Sequence, residues 1–303
     1  MNQSIKLTLL ASAFVLAAGY AGAQQTDFSK VEIKTTELGN RTYMLEGQGG
    51  NITVAAGDDG VIMVDSQFAP LHDKIKAAVA AVSKEPIRYL VNTHFHGDHT
   101  GGDAGFAKDG AIVTAHVNVG KRLAAGTTNG LTGAKTPPVT DKEALPTKTY
   151  TKELKLRVKG RLAQLRHVNN AHTDGDTYVY FADANVLSTG DIVTLGNRYP
   201  NIDVANGGNI KGMIAGTDAY IKLANDKTKI VPGHGPLTDK AGLVAYRAML
   251  ETARSRVAKL ITDGKSVEDA IAAKPLADIE TKIGANEKQS ADFVTLIYRS
   301  IKG

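Results

Sequence analysis

Three histidines and one aspartate fall within six consecutive positions of a short, glycine-containing segment. The segment reads Thr-His-Phe-His-Gly-Asp-His-Thr-Gly-Gly, and its candidate ligands are His94, His96, Asp98 and His99. Imidazole nitrogen and carboxylate oxygen are standard zinc donors, with bonds of about 2.0 to 2.2 Å. Glycines let such a loop turn tightly enough to aim alternate side chains at two points. The segment therefore predicts a site for two metal ions.

Three further candidate ligands lie downstream in separate segments. His172 stands in Asn-Ala-His-Thr-Asp-Gly-Asp, Asp191 in Ser-Thr-Gly-Asp, and His234 in Val-Pro-Gly-His-Gly-Pro. Each follows a predicted strand or lies between two, next to a glycine or a turn. Because α/β sheets place their chemistry at strand ends, these segments are expected to converge on the first one.

The elements that position these residues are predicted from hydrophobic periodicity and turn signals. An antiparallel meander comes first, then a helix and a buried strand. Their predicted ranges are Val31–Glu37, Thr42–Glu46, Ile52–Ala56, Val61–Asp65, Pro70–Ser83 for the helix, and Ile87–Val91. A strand is also expected over Ala111–Ala115. The first metal motif follows the Ile87–Val91 strand directly.

In the second half of the chain, predicted strands are again followed by a helix. The predicted strands are Tyr150–Val158, Leu162–Val168, Thr177–Phe181 and Ala184–Ser188, and the helix is Ile210–Ala224. The tail after Asp239 is predicted to be helical, with a capping box at Ser266 and Asp269. The polar stretch 127–149 is interpreted as a lid or binding loop, or alternatively as a floppy insertion. Two sheets with outer helices result.

Composition bounds the class of protein. The chain has 303 residues and 42% apolar content, enough for a substantial core. Residues 1–23 combine a basic Lys6, an apolar run and Ala-Gly-Ala, which predicts a cleaved signal peptide and a periplasmic or secreted protein. An uncleaved anchor is the alternative. No other stretch approaches the roughly 18 to 20 apolar residues of a membrane span.

The absence of cysteine and the distribution of charge exclude further classes of protein. The absence of cysteine rules out disulfides and thiolate ligands. The net charge of +5 is spread along the chain without a block of like charges, so no nucleic-acid partner is expected. The expected partner is a small-molecule substrate.

The order of the candidate ligands resembles the metallo-β-lactamase superfamily. The pattern His-x-His-x-Asp-His, then His, then Asp, then a His after Pro-Gly is matched in four separated segments. The resemblance implies a four-layer αββα sandwich of two mixed sheets with outer helices, built from residues 24–303 with a helical C-terminal segment, 241–303. It also implies two zinc ions per chain. One would be held by His94, His96 and His172, the second by Asp98, His99 and His234, with Asp191 bridging them.

The resemblance also implies a hydrolytic mechanism. Two zinc ions sharing a hydroxide lower the pKa of bound water toward about 7, and that hydroxide attacks a carbonyl carbon. Asp98 is expected to orient it as a catalytic residue. Asp65 matches a family acid that accepts a hydrogen bond from a ligand imidazole. The alternative for Asp65 is an ordinary turn residue at a strand end.

The substrate is not fixed by the ligands. Exported members that the chain resembles are class B β-lactamases and related lactonases, which predicts cleavage of a cyclic amide or ester. Asp191 stands where many lactamases carry Cys, which favours the lactonase and thioesterase alternatives. A non-catalytic periplasmic zinc-binding protein is the alternative from another class. Candidate substrate contacts are Arg198, Tyr199 and Asn206, while His72, His116 and His167 are expected to be solvated or packed.

Overall fold

The computed structural model describes residues 27–303. The predicted signal peptide, residues 1–23, lies outside the described residues. In that range the strands are β1 (Lys34–Gly39), β2 (Thr42–Glu46), β3 (Ile52–Ala56), β4 (Val61–Val64), β5 (Ile87–Val91), β6 (Ile112–His116), β7 (Thr127–Thr128), β8 (Lys135–Thr136), β9 (Lys148–Tyr150), β10 (Glu153–Val158), β11 (Arg161–His167), β12 (Thr177–Phe181), β13 (Val186–Ser188) and β14 (Lys229–Val231).

Helices connect and cover these strands. In chain order they are α1 (His72–Val82), α2 (Gly97–Thr100), α3 (Asp103–Lys108), α4 (Val117–Ala125), α5 (Ile210–Leu223), α6 (Lys240–Thr262), α7 (Val267–Ala272), α8 (Ala277–Ile283) and α9 (Glu287–Lys302). The predicted capping box at Ser266 and Asp269 is present at the start of α7. Among the described residues, no helix has the length and apolar character needed to span a bilayer.

Both main sheets are mixed. The first runs β1-β2-β3-β4-β5-β6-β9, antiparallel from β1 to β4 and parallel from β4 onward. The second runs β10-β11-β12-β13-β14, antiparallel except for the parallel β13–β14 pair. A separate hairpin joins β7 and β8. In each sheet, parallel neighbours therefore end at a common edge.

The two sheets pack face to face between layers of helices. Val64 and Val91 of the first sheet share one buried cluster with Phe181 and Val231 of the second. The outer face of the first sheet packs on α1 and α3, and that of the second packs on α5, α6 and α9. Because helices cover one face and the other sheet covers the second, β3 and β4 are buried along their whole length. The predicted αββα sandwich of mixed sheets is confirmed.

One predicted strand is wrong. The expected single strand Tyr150–Val158 is divided into β9, which belongs to the first sheet, and β10, which belongs to the second. The exposed residues Thr151 and Lys152 carry the chain from one sheet to the other. Thr151, Lys152 and Glu153 are all polar, so the regular alternation begins only at Leu154 and does not include Tyr150.

The stretch 127–149 is more ordered than a floppy insertion. It contains the β7–β8 hairpin, a 3-10 turn at Lys142–Ala144 and the start of β9. Its first strand is also held from outside, because the Asn206 amide donates to the Thr128 carbonyl oxygen.

Candidate metal centre

The seven predicted ligands come together between the two sheets. The segment 94–99 follows β5, Asp191 follows β13, and His234 follows β14, while His172 lies in the loop from β11 to β12. β4 and β5 are parallel neighbours, as are β13 and β14, so their carboxyl ends deliver these loops to one place. The position of the centre is a consequence of strand pairing within each sheet and of packing between the sheets.

Three imidazoles form one half of the centre. We call His94, His96 and His172 the three-imidazole group. The Nδ1 atom of His96 lies 3.1 Å from His94 Nε2 and 3.0 Å from His172 Nε2. Nitrogen atoms that each bind one zinc ion at about 2.0 to 2.1 Å are separated from each other by distances close to the 3.0 and 3.1 Å found here. The spacing therefore fits a shared cation.

Two imidazoles and a carboxylate form the other half, and we call Asp98, His99 and His234 the mixed group. His234 Nε2 lies 3.1 Å from Asp98 Oδ2 and 3.3 Å from His99 Nε2, and the third pair, His99 Nε2 and Asp98 Oδ2, is 3.7 Å apart. Donor atoms of this kind and spacing fit a second cation.

Asp191 lies between the two groups. Its Oδ1 is 3.1 Å from His99 Nε2, and its Oδ2 is 3.4 Å from His234 Nε2 and 3.8 Å from His172 Nε2. Oδ1 is buried and makes no hydrogen bond of acceptable geometry with any described residue. A buried carboxylate oxygen without a hydrogen bond is costly unless a cation contacts it. The carboxylate is thus positioned as the bridge that the resemblance implies.

The outer ring nitrogens of the imidazoles are committed to acceptors. His99 Nδ1 lies 2.8 Å from Asp65 Oδ2, and His96 Nε2 lies 2.9 Å from Asp203 Oδ2. His172 Nδ1 lies 2.9 Å from the Asn201 carbonyl oxygen. Because these acceptors require a donor, each outer nitrogen carries a proton, which leaves the inner nitrogen as the atom that a metal ion would bind. This tautomer pattern is that of metal-binding histidines.

Asp65 supports both groups. Beyond its contact with His99, it accepts hydrogen bonds from the Thr93 backbone N–H at 2.7 Å and the Thr93 hydroxyl at 2.8 Å. The same hydroxyl oxygen lies 3.1 Å from His94 Nδ1. Asp65 has a φ of +64°, a left-handed conformation that costs a non-glycine residue about 1 to 2 kcal/mol. The structure brings Asp65 to a candidate ligand imidazole, which goes beyond the role of a turn residue.

The contact of Asp203 with His96 was not predicted from the sequence. Asp203 is buried, and the Asn206 amide donates to both of its carboxylate oxygens at 2.8 Å. Arg122 donates in turn to the Asn206 Oδ1 at 3.2 Å. The expectation that Asn206 contacts substrate is therefore not supported, because its polar atoms are engaged inside the protein. No histidine, cysteine or glycine pattern marks Asp203 in the sequence.

The charges of the two groups differ. In the three-imidazole group, burial and neighbouring imidazoles lower the pKa of His94 well below its usual range and that of His172 to about 4. In the mixed group burial acts in the same direction, but Asp191 and Asp98 outweigh it. They raise the pKa of His99 well above its usual range and that of His234 to about 9. The anionic charge of the centre is concentrated on one side.

Two glycines allow the backbone to approach the centre. A Cβ atom on Gly50 would overlap the His99 ring, and one on Gly233 would overlap the Asp191 carboxylate. The donors, the outer contacts of the imidazoles and the close backbone approach fit a metal site with ligands that zinc accepts. Residues His94, His96 and His172 would hold one ion, and Asp98, His99 and His234 the other.

An open cavity of about 510 Å³ gives access to the mixed group. Asp98, His234, Phe68 and Arg198 contribute to its wall. Arg198 is exposed and belongs to this wall, where a substrate contact was predicted. Tyr199 is buried instead, with its ring stacked on Phe293 and its hydroxyl 3.4 Å from the Leu276 carbonyl oxygen. Its predicted contact with substrate is not supported by this position.

The remaining histidines lie outside these groups. His72 contacts the carboxylates of Asp73 on α1 and of Asp109, which follows α3. His116 and His167 stack on each other, with ring centroids 3.7 Å apart and planes 5° apart. All three are packed or paired residues of the scaffold.

Comparison with known proteins agrees with this geometry. Residues 45–239 match the family model of the metallo-beta-lactamase superfamily, which is more than half of the chain. The chain belongs to this superfamily, whose members are mostly hydrolytic zinc enzymes. A curated relative, the 2,4-dinitroanisole O-demethylase subunit alpha of Nocardioides sp. (strain JS1661), is 29% identical over 146 residues. That match covers 47% of this chain and 41% of the relative.

Solved structures share the fold at low sequence identity. The stereoselective inverting sec-alkylsulfatase Pisa1 from Pseudomonas sp. has a TM-score of 0.66 at 17% identity, covering 88% of this chain and 50% of that one. A metallo-beta-lactamase from Pontibacter korlensis has a TM-score of 0.60 at 16% identity, covering 73% of this chain and 99% of that one. The chain thus spans about half the length of the first of these structures.

Proposed function

We propose that this protein is a two-zinc hydrolase that cleaves a cyclic amide or ester, in the manner of a β-lactamase. The observation that carries the proposal is the convergence of six inner donor atoms on both sides of Asp191. The outer nitrogens of three of the five imidazoles are held by Asp65, Asp203 and a backbone carbonyl. Zinc bound there would acidify a water molecule and polarise a carbonyl oxygen.

The chain's own residues supply orientation and proton transfer. Asp98 lines the cavity and is 30% exposed, so its carboxylate can accept a hydrogen bond from an attacking water. The water oxygen bonds to the carbonyl carbon, and the carbon to nitrogen or carbon to oxygen bond breaks. Asp98 takes the proton from the water and returns it to the departing group.

The open cavity also supports catalysis over metal storage. A structural zinc site closes its coordination with protein ligands. Here Asp98 and His234 face a cavity, and Asp191 supplies a carboxylate between the two groups. A non-catalytic zinc-binding protein needs neither feature.

The first test is turnover by the purified, zinc-loaded protein of a chromogenic cephalosporin, a lactone and a thioester, each with a chelator control. Chelator-sensitive cleavage of the cephalosporin is the expected result. Turnover of the lactone or thioester alone would favour a lactonase or a thioesterase, the alternatives that the acidic Asp191 supports. Inactivity on all three would favour the zinc-binding protein. An Asp98→Ala protein with full zinc content and undiminished turnover would contradict the role of Asp98.

We further propose that the protein is exported and acts on a small molecule without a nucleic-acid partner. The sequence of residues 1–23 and the spread of charge support this. Amino-terminal sequencing of the protein from a periplasmic fraction is expected to begin at Gln24. A retained Met1 would contradict cleavage.

A further inference from the structure

A second cavity of about 690 Å³ adjoins the opening of the metal centre. It lies among the loop after Asp191, helix α6 and helix α8. Its wall is mainly apolar, and side chains that contribute to it include Leu195, Ala245, Ala248, Met249, Ile279 and Ile283. We call this cavity the apolar groove. Its volume is in the range of pockets that bind small molecules.

Arg198 belongs to both cavities. It contributes to the wall that contains Asp98 and His234 and also to the wall of the apolar groove. Within residues 27–303 its guanidinium forms no salt bridge and no side-chain hydrogen bond, unlike Arg256 in the same groove, which pairs with Asp278. An exposed guanidinium without a protein partner is suited to an oxygen of a ligand. Arg198 therefore connects a polar reaction site to an apolar space.

We propose that the substrate is an amphiphile whose aliphatic acyl chain lies in the apolar groove while its carbonyl or carboxylate oxygen contacts Arg198. This rests on the proposed hydrolase function and narrows its substrate class. The occupant is assigned by Arg198, which lines both the groove and the cavity of the metal centre, and by the small side chains of α6. Ala245 and Ala248 are both exposed on the groove side of that helix, which leaves space for a chain.

The central experiment measures binding rather than turnover. Butyrate and octanoate are titrated calorimetrically into the zinc-loaded protein. Each buried methylene contributes a factor of about three to four, so the four extra methylenes are expected to tighten binding roughly 100-fold. Any contact of the carboxylate with zinc is common to both ligands and cancels. Equal affinities for the two acids would overturn the proposal.

Variants locate the chain in the groove. Ala248→Trp fills the groove from an exposed helical position and is expected to reduce octanoate binding to the level of butyrate. Ser255→Trp is the matched control, because Ser255 is exposed on the same helix and does not contribute to the groove. Arg198→Ala is expected to weaken both acids about 10-fold, and Arg198→Lys to weaken them less. An unchanged preference for octanoate in Ala248→Trp would overturn the proposal.

Failure of the groove assignment and failure of the hydrolase function would give different results. Turnover of p-nitrophenyl esters from acetyl to octanoyl, equal at all chain lengths, would overturn the groove assignment and leave the hydrolase intact. Tight octanoate binding without hydrolysis of any tested ester, lactam or lactone would support the groove and contradict the hydrolase. A dimer in sedimentation analysis that Ala248→Trp dissociates would assign the groove to a second copy of the chain and overturn the proposal.

Discussion

The two halves of the metal centre differ in how they are held and in what they face. The imidazoles of His94 and His172 are fully buried, and the outer nitrogens of all three members of their group are fixed by neighbours. In the mixed group His99 is also buried, but Asp98 and His234 border the open cavity, whereas the partly exposed His96 of the first group does not contribute to its wall. We therefore expect the first group to anchor an ion and the second to present one to the cavity.

The difference shows how one fold separates anchoring from chemistry. Buried neutral imidazoles need supports on their outer nitrogens, and those supports come from neighbouring segments of both sheets. Carboxylates beside the cavity instead supply charge and a site for a transferable proton. Asp191 contacts both groups, Asp65 contacts one directly and the other through Thr93, and Asp203 contacts only one. Variants at these three acids therefore distinguish effects on both groups from effects on one group.

The largest effect is expected from Asp191→Ala. The change removes the carboxylate between the groups and leaves buried imidazoles without their shared anionic partner. We expect fewer than two zinc ions per chain by mass spectrometry and a loss of turnover greater than about 100-fold, since even outer supports of ligands cost 10-fold to 100-fold. Asp191→Asn is the matched control for size. Two retained ions with undiminished turnover would refute the bridging role.

The next effect is expected from Asp65→Ala. Because Asp65 contacts His99 directly and His94 through Thr93, zinc affinity should fall about 10-fold to 100-fold at both halves of the centre. Competition with a chromophoric chelator resolves two affinities, and both should move. If neither affinity changes, Asp65 is an ordinary turn residue.

A smaller and local effect is expected from Asp203→Asn. Its carboxylate contacts only His96 among the candidate ligands, so only one zinc affinity should fall, by about 10-fold. Asn206→Ala, which removes two hydrogen bonds to Asp203, should lower the same affinity less. A shift of both affinities would show that the halves are not independent.

The smallest effect concerns imidazoles outside the centre. Burial lowers the pKa of His116 to about 4, and also lowers that of His167, so both are neutral in the folded protein at neutral pH. As pH falls from about 6.5 toward 4, the unfolded chain binds protons that the folded chain refuses, and the free energy of unfolding decreases. Denaturation of metal-free protein at several pH values should show a flatter profile for His116→Asn with His167→Gln. An unchanged profile would contradict the assignment.

The sequence was most informative where patterns are local. The ranges of β2, β3, β5 and β12 agree with prediction because each is a short apolar run between turn residues. The motif at 94–99 was equally recognisable, because four candidate ligands lie close together in the sequence. Asp203 was out of reach, because its contact with His96 joins residues 107 positions apart through a loop without a recognisable pattern. The boundary between β9 and β10 was missed because only two residues, Thr151 and Lys152, separate the strands.

Because the candidate ligands are spread along the chain, the two groups are completed at different times during translation. The three-imidazole group has its last member at His172, whereas the mixed group needs His234, which follows β14, the last strand of the second sheet. A nascent chain leaving the ribosome thus contains every donor of the first group well before the second has its full set. Helices α6 to α9 follow later still. If metal is met during synthesis, the anchoring donors are the first complete set that it encounters.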